Sequence, residues 1–312
     1  MIRKMELRDI EEIKEIDRLC FKIDTKRTTE GIRGYMRASN NSSIVYEIND
    51  KVVGFNFIHI WGDFGWFGPF GVHPEYQGRG IGRALINETI RILKEEYKVS
   101  TIGLNTMPES QYNVGFYMGL DFAPLKLSLG LKKEITSLEV KRYVSLNNIN
   151  VNEIDISNEK SYLIIEEYLK SLSDYICRNF DLTSELHLIR EEAFGTIFTL
   201  ESGEKIYGII ICYTKAVREV LSENLQIKLA VIDGKVNYKE ALDITIDFCT
   251  KYAQKNNYKS ISIDCNTYNS VICNYLMAEH KFKIEKTQVM MLRGEINPFE
   301  SEKVLLLTRL AG

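Results

Sequence analysis

The amino-acid sequence predicts a mixed α/β protein in which one order of elements is used twice. Three observations carry that expectation. Apolar residues switch between helical and strand spacing along the chain. The order of the resulting elements in the first half returns in the second. A ten-residue segment, Tyr97 to Thr106, recurs at an offset of 161 residues as Tyr258 to Thr267, with Tyr-Lys at its start and Asn-Thr at its end. The chain has 312 residues, and at roughly 150 per domain that is room for two cores.

In the first half, Ile10, Ile13, Ile16 and Leu19 keep helical spacing across residues 7–19, and residues 26–37 predict a second helix. Ser43 to Asn49 reads as a strand and Asn49-Asp50-Lys51 as a turn. Lys51 to Trp61 follows as a strand that puts Phe55, Phe57, His59 and Trp61 on one face. Gly62-Asp63-Phe64-Gly65 closes a hairpin into a strand from Trp66 to His73. Residues 83–97 form a helix with Leu85, Ile86, Ile90, Leu93 and Tyr97 on one side. A strand from Thr101 to Asn105, a short helix from Ser110 to Met118 and a strand over 125–132 complete the half. The second half predicts strands at 196–200, 206–214 and 225–233, a helix at 239–254, a strand at 260–265, a helix at 269–280 and a strand at 286–293.

Composition excludes several classes of function. Hydrophobic residues make up 45% and charged residues 27%, which rules out a disordered or low-complexity chain. Lys plus Arg is 40 and Asp plus Glu is 43, giving a net charge of −3 with no basic block, so no nucleic-acid partner is expected. No apolar run approaches the roughly 20 residues of a membrane span. Met1 to Glu6 carries charges where a signal peptide needs an apolar core. Six cysteines form no C-x-x-C pair and read as reduced, buried thiols, and four scattered histidines supply no zinc ligand set. The expectation is a cytoplasmic protein with no metal and no membrane partner.

The segment that carries chemistry runs from Gly68 to Gly82. It leaves a strand, passes through Gly78-Arg79-Gly80-Ile81-Gly82 and enters a strong helix. Glycines let the backbone approach a ligand, and the free N–H groups of a helix N-terminus favour a phosphate or pyrophosphate. Arg79 and Arg83 add positive charge at the rim. A Walker A loop is excluded because no Lys follows Gly82, and a Rossmann loop because position 83 is Arg. The pattern present is Gln-x-x-Gly-x-Gly at Gln77, Gly80 and Gly82.

With its preceding strand, its Val-x-Pro-x-Tyr-Gln lead-in, the helix from Arg83, and Phe116-Tyr117 followed by Leu120-Asp121-Phe122, this stretch resembles the GCN5-related N-acetyltransferase (GNAT) superfamily over roughly residues 1–133. The resemblance implies an α+β fold of two tandem GNAT-like domains, 1–145 and 150–312, linked near Asn147 to Asn150. Each would be a mixed, mostly antiparallel central sheet flanked by helices. It also implies acetyl-coenzyme A as co-substrate. The pyrophosphate would lie on backbone amides of Gly78, Arg79, Gly80, Ile81 and Gly82, with Gln77 or Arg79 flanking. Phe70, Gly71 and Val72 would pair with the pantetheine arm like an added strand and support the oxyanion. Tyr117 matches the family's general acid, whereas the residues alone equally allow a core aromatic beside Phe116. Ser110 stands where the family often has a cofactor-binding Asn.

The base is open among His59, His73 and Asp63, and none is assigned. Phe55, Phe57, Trp61, Phe64, Trp66 and Phe67 are either an acceptor wall or sheet core. At the same offset of 161, Gln77, Gly80 and Gly82 face Tyr238, Ala241 and Asp243, so the second half is expected to keep the fold and lack the pyrophosphate loop. The implied function is an acyltransferase. It would move acetyl from acetyl-coenzyme A to a primary amine, of a small molecule or a protein, by direct attack through a tetrahedral intermediate. The alternative is a non-catalytic acyl-coenzyme A-binding regulatory or scaffold protein. Either a monomer with pseudo-dimeric domains or a homodimer is expected.

Overall fold

A computed structural model describes residues 1–136, 148–218 and 223–310. The first half runs β1 (Ile2–Lys4), α1 (Ile10–Phe21), α2 (Thr29–Ala38), β2 (Ile44–Ile48), β3 (Lys51–Trp61), β4 (Phe64–Val72), α3 (Ile81–Arg91), β5 (Thr101–Thr106), α4 (Gln111–Met118) and β6 (Ala123–Glu134). The second runs β7 (Asn150–Glu153), α5 (Glu159–Ile176), α6 (Thr183–Glu192), β8 (Gly195–Ser202), β9 (Lys205–Tyr213), β10 (Asn224–Asp233), α7 (Tyr238–Lys255), β11 (Ser260–Asn266), α8 (Ser270–Ala278), β12 (Lys283–Arg293) and β13 (Val304–Leu307). The expected boundary near Asn147 lies partly on residues 137–147, outside the described residues.

The elements expected from the sequence are present with shifted ends, and β1, β7, α5, α6 and β13 are additional. The largest shift is in α3. Gly80 sits at φ +80 and caps the helix, so Ile81 and Gly82 are already helical. At the other end, α3 passes into a single π turn over Ile92–Glu96. Between β3 and β4, Gly62 turns at φ +64, and a Cβ there would stand 1.8 Å from Asn179 O, so only glycine fits.

All strands join one mostly antiparallel sheet in the order β1-β2-β3-β4-β5-β12-β6-β11-β10-β9-β8-β7, with β13 beside β10. Each half gives its last long strand to the other. β12 pairs with β5 through Val289↔Thr106 to Arg293↔Ile102. β6 pairs with β11 through Ser260↔Glu134 to Asn266↔Ser128. β6 and β12 meet antiparallel at the centre. Apolar packing follows the same exchange: Trp61, Phe64 and Trp66 of the first half share one buried cluster with Leu169, Ile211, Met290 and Leu306 of the second.

His59 lies in this interior, 2% exposed, with Nε2 3.0 Å from Gly68 O and its ring stacked on Trp61. Burial holds its pKa down at about 3 despite the carbonyl.

Two outcomes follow. A Cβ on Gly103 would fall 2.3 Å from the Trp66 ring and 2.7 Å from Leu292, both buried. Gly103→Ala is therefore expected to lower the unfolding free energy by about 1–3 kcal/mol through overpacking; an unchanged urea midpoint would show that the seam between the halves is loosely packed. For His59, the unfolded imidazole takes up its proton below about 6.5 and the folded one only near 3, so acid favours the unfolded chain in between. His59→Gln is expected to shrink the difference in unfolding free energy between pH 7 and pH 5 by about 2 kcal/mol. An unchanged difference would mean that His59 is already protonated at pH 5.

Candidate active site

β4 and β5 run together for only part of their length. Phe64, Gly65 and Trp66 pair in parallel with Thr101, Ile102 and Gly103, whereas residues 67–72 keep only their antiparallel partner β3. The strands open into a V whose arms, residues 67–72 and 104–106, carry backbone edges with no strand between them. A cavity of about 1580 Å³ fills the V and reaches across the sheet into the second half.

At the mouth of the V lies the glycine loop. Gly78 and Gly80 have φ of +75 and +80, and nothing stands within 4 Å of where either Cβ would be. These glycines serve the backbone's conformation and leave its outer side bare. The N–H groups from Gly78 to Arg83 have no acceptor among the described residues. With the dipole of α3 behind them, they form an anion-binding cradle.

The expected site residues take different places around it. Phe70, Gly71, Val72, Gly78, Gly80, Ile81, Gly82 and Arg83 line the cavity. Gln77 lines it too, but its Nε2 donates to Val72 O at 2.9 Å and braces the loop against the end of β4. Cys20 donates to the same carbonyl at 3.1 Å, its thiol pushed up to about 11 by burial. Arg79 donates to Glu75 O at 2.9 Å, lies over the Tyr76 ring and stands outside the lining. Arg83 lies over the Phe116 ring. Ser110 accepts from Asn113 N at 3.3 Å as the cap of α4 and also stands outside the lining, where Gln111 and Asn113 take part.

Tyr117 is packed as a core aromatic and also reaches the cavity. Its ring packs among Phe67, Phe116 and Phe122, while it lines the cavity and its hydroxyl makes no hydrogen bond among the described residues. Burial raises its pKa well above the ordinary tyrosine value, so it keeps its proton at neutral pH.

None of the three candidate bases reaches the cavity. His59 is buried and bonded, Asp63 accepts from Ser100 N in its turn, and His73 accepts from Glu75 N. Of the two readings of the aromatics, sheet core holds for all but one. Phe55, Phe57, Trp61, Phe64 and Trp66 are at most 1% exposed core residues, and only Phe67 lines the cavity. Alternation along β3 and β4 does not separate a cleft from a sheet buried on both faces.

The sequence reading missed the far wall. It is built by Arg27 and Tyr35 from the first half and by Arg218, Lys228, Lys286 and Arg309 from the second. Burial pushes the Tyr35 phenol up, and Arg27, Lys228 and Arg309 more than reverse this, so its pKa ends below the usual tyrosine value. No local motif marks these residues, because the exchanged sheet assembles them from separate elements.

The second half has a corresponding V, and it is closed. β10 pairs in parallel with β11 from Asn224 to Ile227, and then Ala230–Asp233 pair antiparallel with β13. Those four residues match Pro69–Val72 at the offset of 161, so β13 lies where the first V stays open. The helix amides are satisfied too: Asn237 Oδ1 accepts from Lys239 N and Glu240 N. Ala241 is fully buried, and Asp243 accepts from the Tyr275 hydroxyl at 2.7 Å and lies 2.8 Å from His280 Nε2.

The acetyltransferase (GNAT) family matches residues 10–122. Among solved structures, a Pyrococcus horikoshii protein provisionally named an acetyltransferase is 17% identical with a TM-score of 0.70, over 97% of this chain and 91% of that one. A GCN5-related N-acetyltransferase from Sphaerobacter thermophilus is 8% identical with a TM-score of 0.65, over 96% and 98% of the two chains. Another from Anabaena variabilis is 15% identical with a TM-score of 0.59, over 94% and 72%. No curated protein matches the chain. At these identities the likeness shows the fold, and it shows it across both halves. The match to the acetyltransferase (GNAT) family lies within the first half of the chain, and it is this half that keeps its V open.

Proposed function

We propose that the protein acetylates a primary amine with acetyl-coenzyme A as co-substrate. The observation that carries this is the V, an unpaired strand edge that runs from the cavity to a cradle of free amides. A pantetheine has amide groups spaced to pair with such an edge, and a pyrophosphate suits the cradle. Residues 67–72 would take the arm, and the amides from Gly78 to Gly82 would take the pyrophosphate. Bound there, the coenzyme supplies a thioester. The amine nitrogen, in its neutral form, bonds to the acyl carbon as the carbon–sulfur bond breaks, and the proton it sheds passes to water, from which the Tyr117 phenolate is reprotonated at the end of the turnover. The unpaired N–H groups on the β4 edge stabilise the oxyanion that develops during attack. Tyr117, held neutral by burial, donates the proton that the leaving thiolate takes up.

Calorimetry with acetyl-coenzyme A is expected to show one site per chain. Gly80→Asp should weaken it at least a hundredfold, because a side chain is strained at φ +80 and a carboxylate repels the pyrophosphate. Two sites per chain would contradict the closure of the second V by β13. With a primary amine that is turned over, Tyr117→Phe should lower kcat by roughly 10²–10⁴-fold while the dissociation constant for acetyl-coenzyme A stays within twofold. An unchanged kcat would remove Tyr117 from the chemistry.

A further inference from the structure

The charge of the cavity is opposite to that of the chain. The protein carries a net charge of −3, yet no Asp or Glu lines the cavity among the described residues, while Lys and Arg line it repeatedly. Seven of these cations, Lys22, Arg27, Lys215, Arg218, Lys228, Lys286 and Arg309, come from parts of the fold other than the glycine loop. Two carboxylates behind the wall offset part of their charge. Asp17, fully buried, takes Arg27 Nε and Arg218 Nη1 at 2.9 Å each. Asp264 lies 3.7 Å from Arg309. Lys228 donates to Leu310 O. The Lys286 ammonium has no hydrogen-bond or ion-pair partner among the described residues, and the residue lines the cavity. Beside it in the lining, Gln288 is only 7% exposed, and its carboxamide has no partner among the described residues.

Such a wall is unfavourable in the empty protein. Burial, then Arg309, Arg27 and Arg218, lower the Lys286 ammonium to about 8, and the pull of Asp264 does not restore it. Residues that break the rules of charge pairing mark places where a ligand completes the pairing.

We propose that the acceptor amine carries a multiply charged anionic group, a phosphate monoester or a pair of carboxylates, which this wall of cations and the Gln288 carboxamide hold opposite the open V. This deepens the acetyltransferase reading and rests on it. The anion sets the acceptor's orientation, and its amine lies toward Tyr117 and β4 in the same cavity. Simple diamines and polyamines are excluded, because their second charge meets the cations.

The test uses the full chain saturated with coenzyme A, so that the coenzyme's own phosphates occupy their sites. It is titrated with 2-aminoethyl phosphate, inorganic phosphate, aspartate, ethanolamine and putrescine. Phosphate-bearing or dicarboxylate probes are expected to bind, and ethanolamine and putrescine to bind at least tenfold more weakly. Which of phosphate or dicarboxylate binds tighter assigns the anion. Lys286→Gln should weaken the anionic probe at least tenfold, and Lys286→Glu should abolish its binding, while both keep coenzyme A affinity within twofold. Equal or tighter binding of putrescine, no binding of any anion, or an unchanged affinity in Lys286→Gln would overturn the proposal. Thiol release from acetyl-coenzyme A separates the two readings. Release with cationic amines alone overturns the anionic acceptor and keeps the transferase. Anion binding with no release from any amine upholds the anion site and removes the transferase.

Discussion

The antiparallel contact between β6 and β12 is the constraint on which the rest of the structure depends. Each strand belongs by sequence to one half and by pairing to the sheet of the other. Ser128 marks the crossing: its Oγ donates to Asn105 Oδ1 at 3.1 Å and accepts from Asn266 Nδ2 at 3.2 Å. Asn105 and Asn266 are the paired asparagines of the ten-residue repeat, so equivalent side chains converge on one hydroxyl at the pseudo-two-fold centre. Neither half can complete its sheet alone, and neither can rotate away without breaking ladder hydrogen bonds on both sides of the seam.

The exchange also decides what the cavity is made of. β12 lies directly beside β5, so Lys286 and Gln288 of the second half line a cavity whose glycine-loop side is built by the first. Asp17 of α1 holds Arg27 of its own half and Arg218 of the other, and the backbones of those two arginines form an antiparallel bridge. Polar contacts that join the halves at Asp17 therefore also shape the cavity's charged wall.

The glycine-loop side of the cavity was legible in the sequence and the opposite wall was not, for a physical reason. The loop from Gly78 to Gly82 is encoded by contiguous residues whose types report backbone conformation directly. Gly80 at φ +80 does what its residue type implies. Strand alternation likewise located β3 and β10 closely. It left two readings open for Phe55, Phe57 and Trp61, because β3 is covered on both faces and an inward aromatic looks the same whether it meets a helix or a cleft. Arg27, Lys228, Lys286 and Arg309 are single charges on separate elements, and only the strand exchange brings them together. Ser110 shows a subtler limit: its capping role in α4 is a local preference that outweighs a family-based contact.

The closing of the second V and the building of the cationic wall have one structural cause. In the second half, β13 occupies the opened part of the V as a strand of the protein's own chain, meeting Ala230–Asp233 with main-chain hydrogen bonds. That position sends the following residues along the edge of β10 toward the first half, where Asn105 Nδ2 donates to Arg309 O at 3.1 Å and Lys228 to Leu310 O. Arg309 thereby faces the cavity, with Asp264 of β11 behind it. A second half that kept its V open for a coenzyme would have no place for β13 and no path that carries Arg309 to this wall. The two halves thus treat the same edge differently. The first keeps its strand edge open, and the second fills its own edge and turns the segment that follows into part of the first half's cavity.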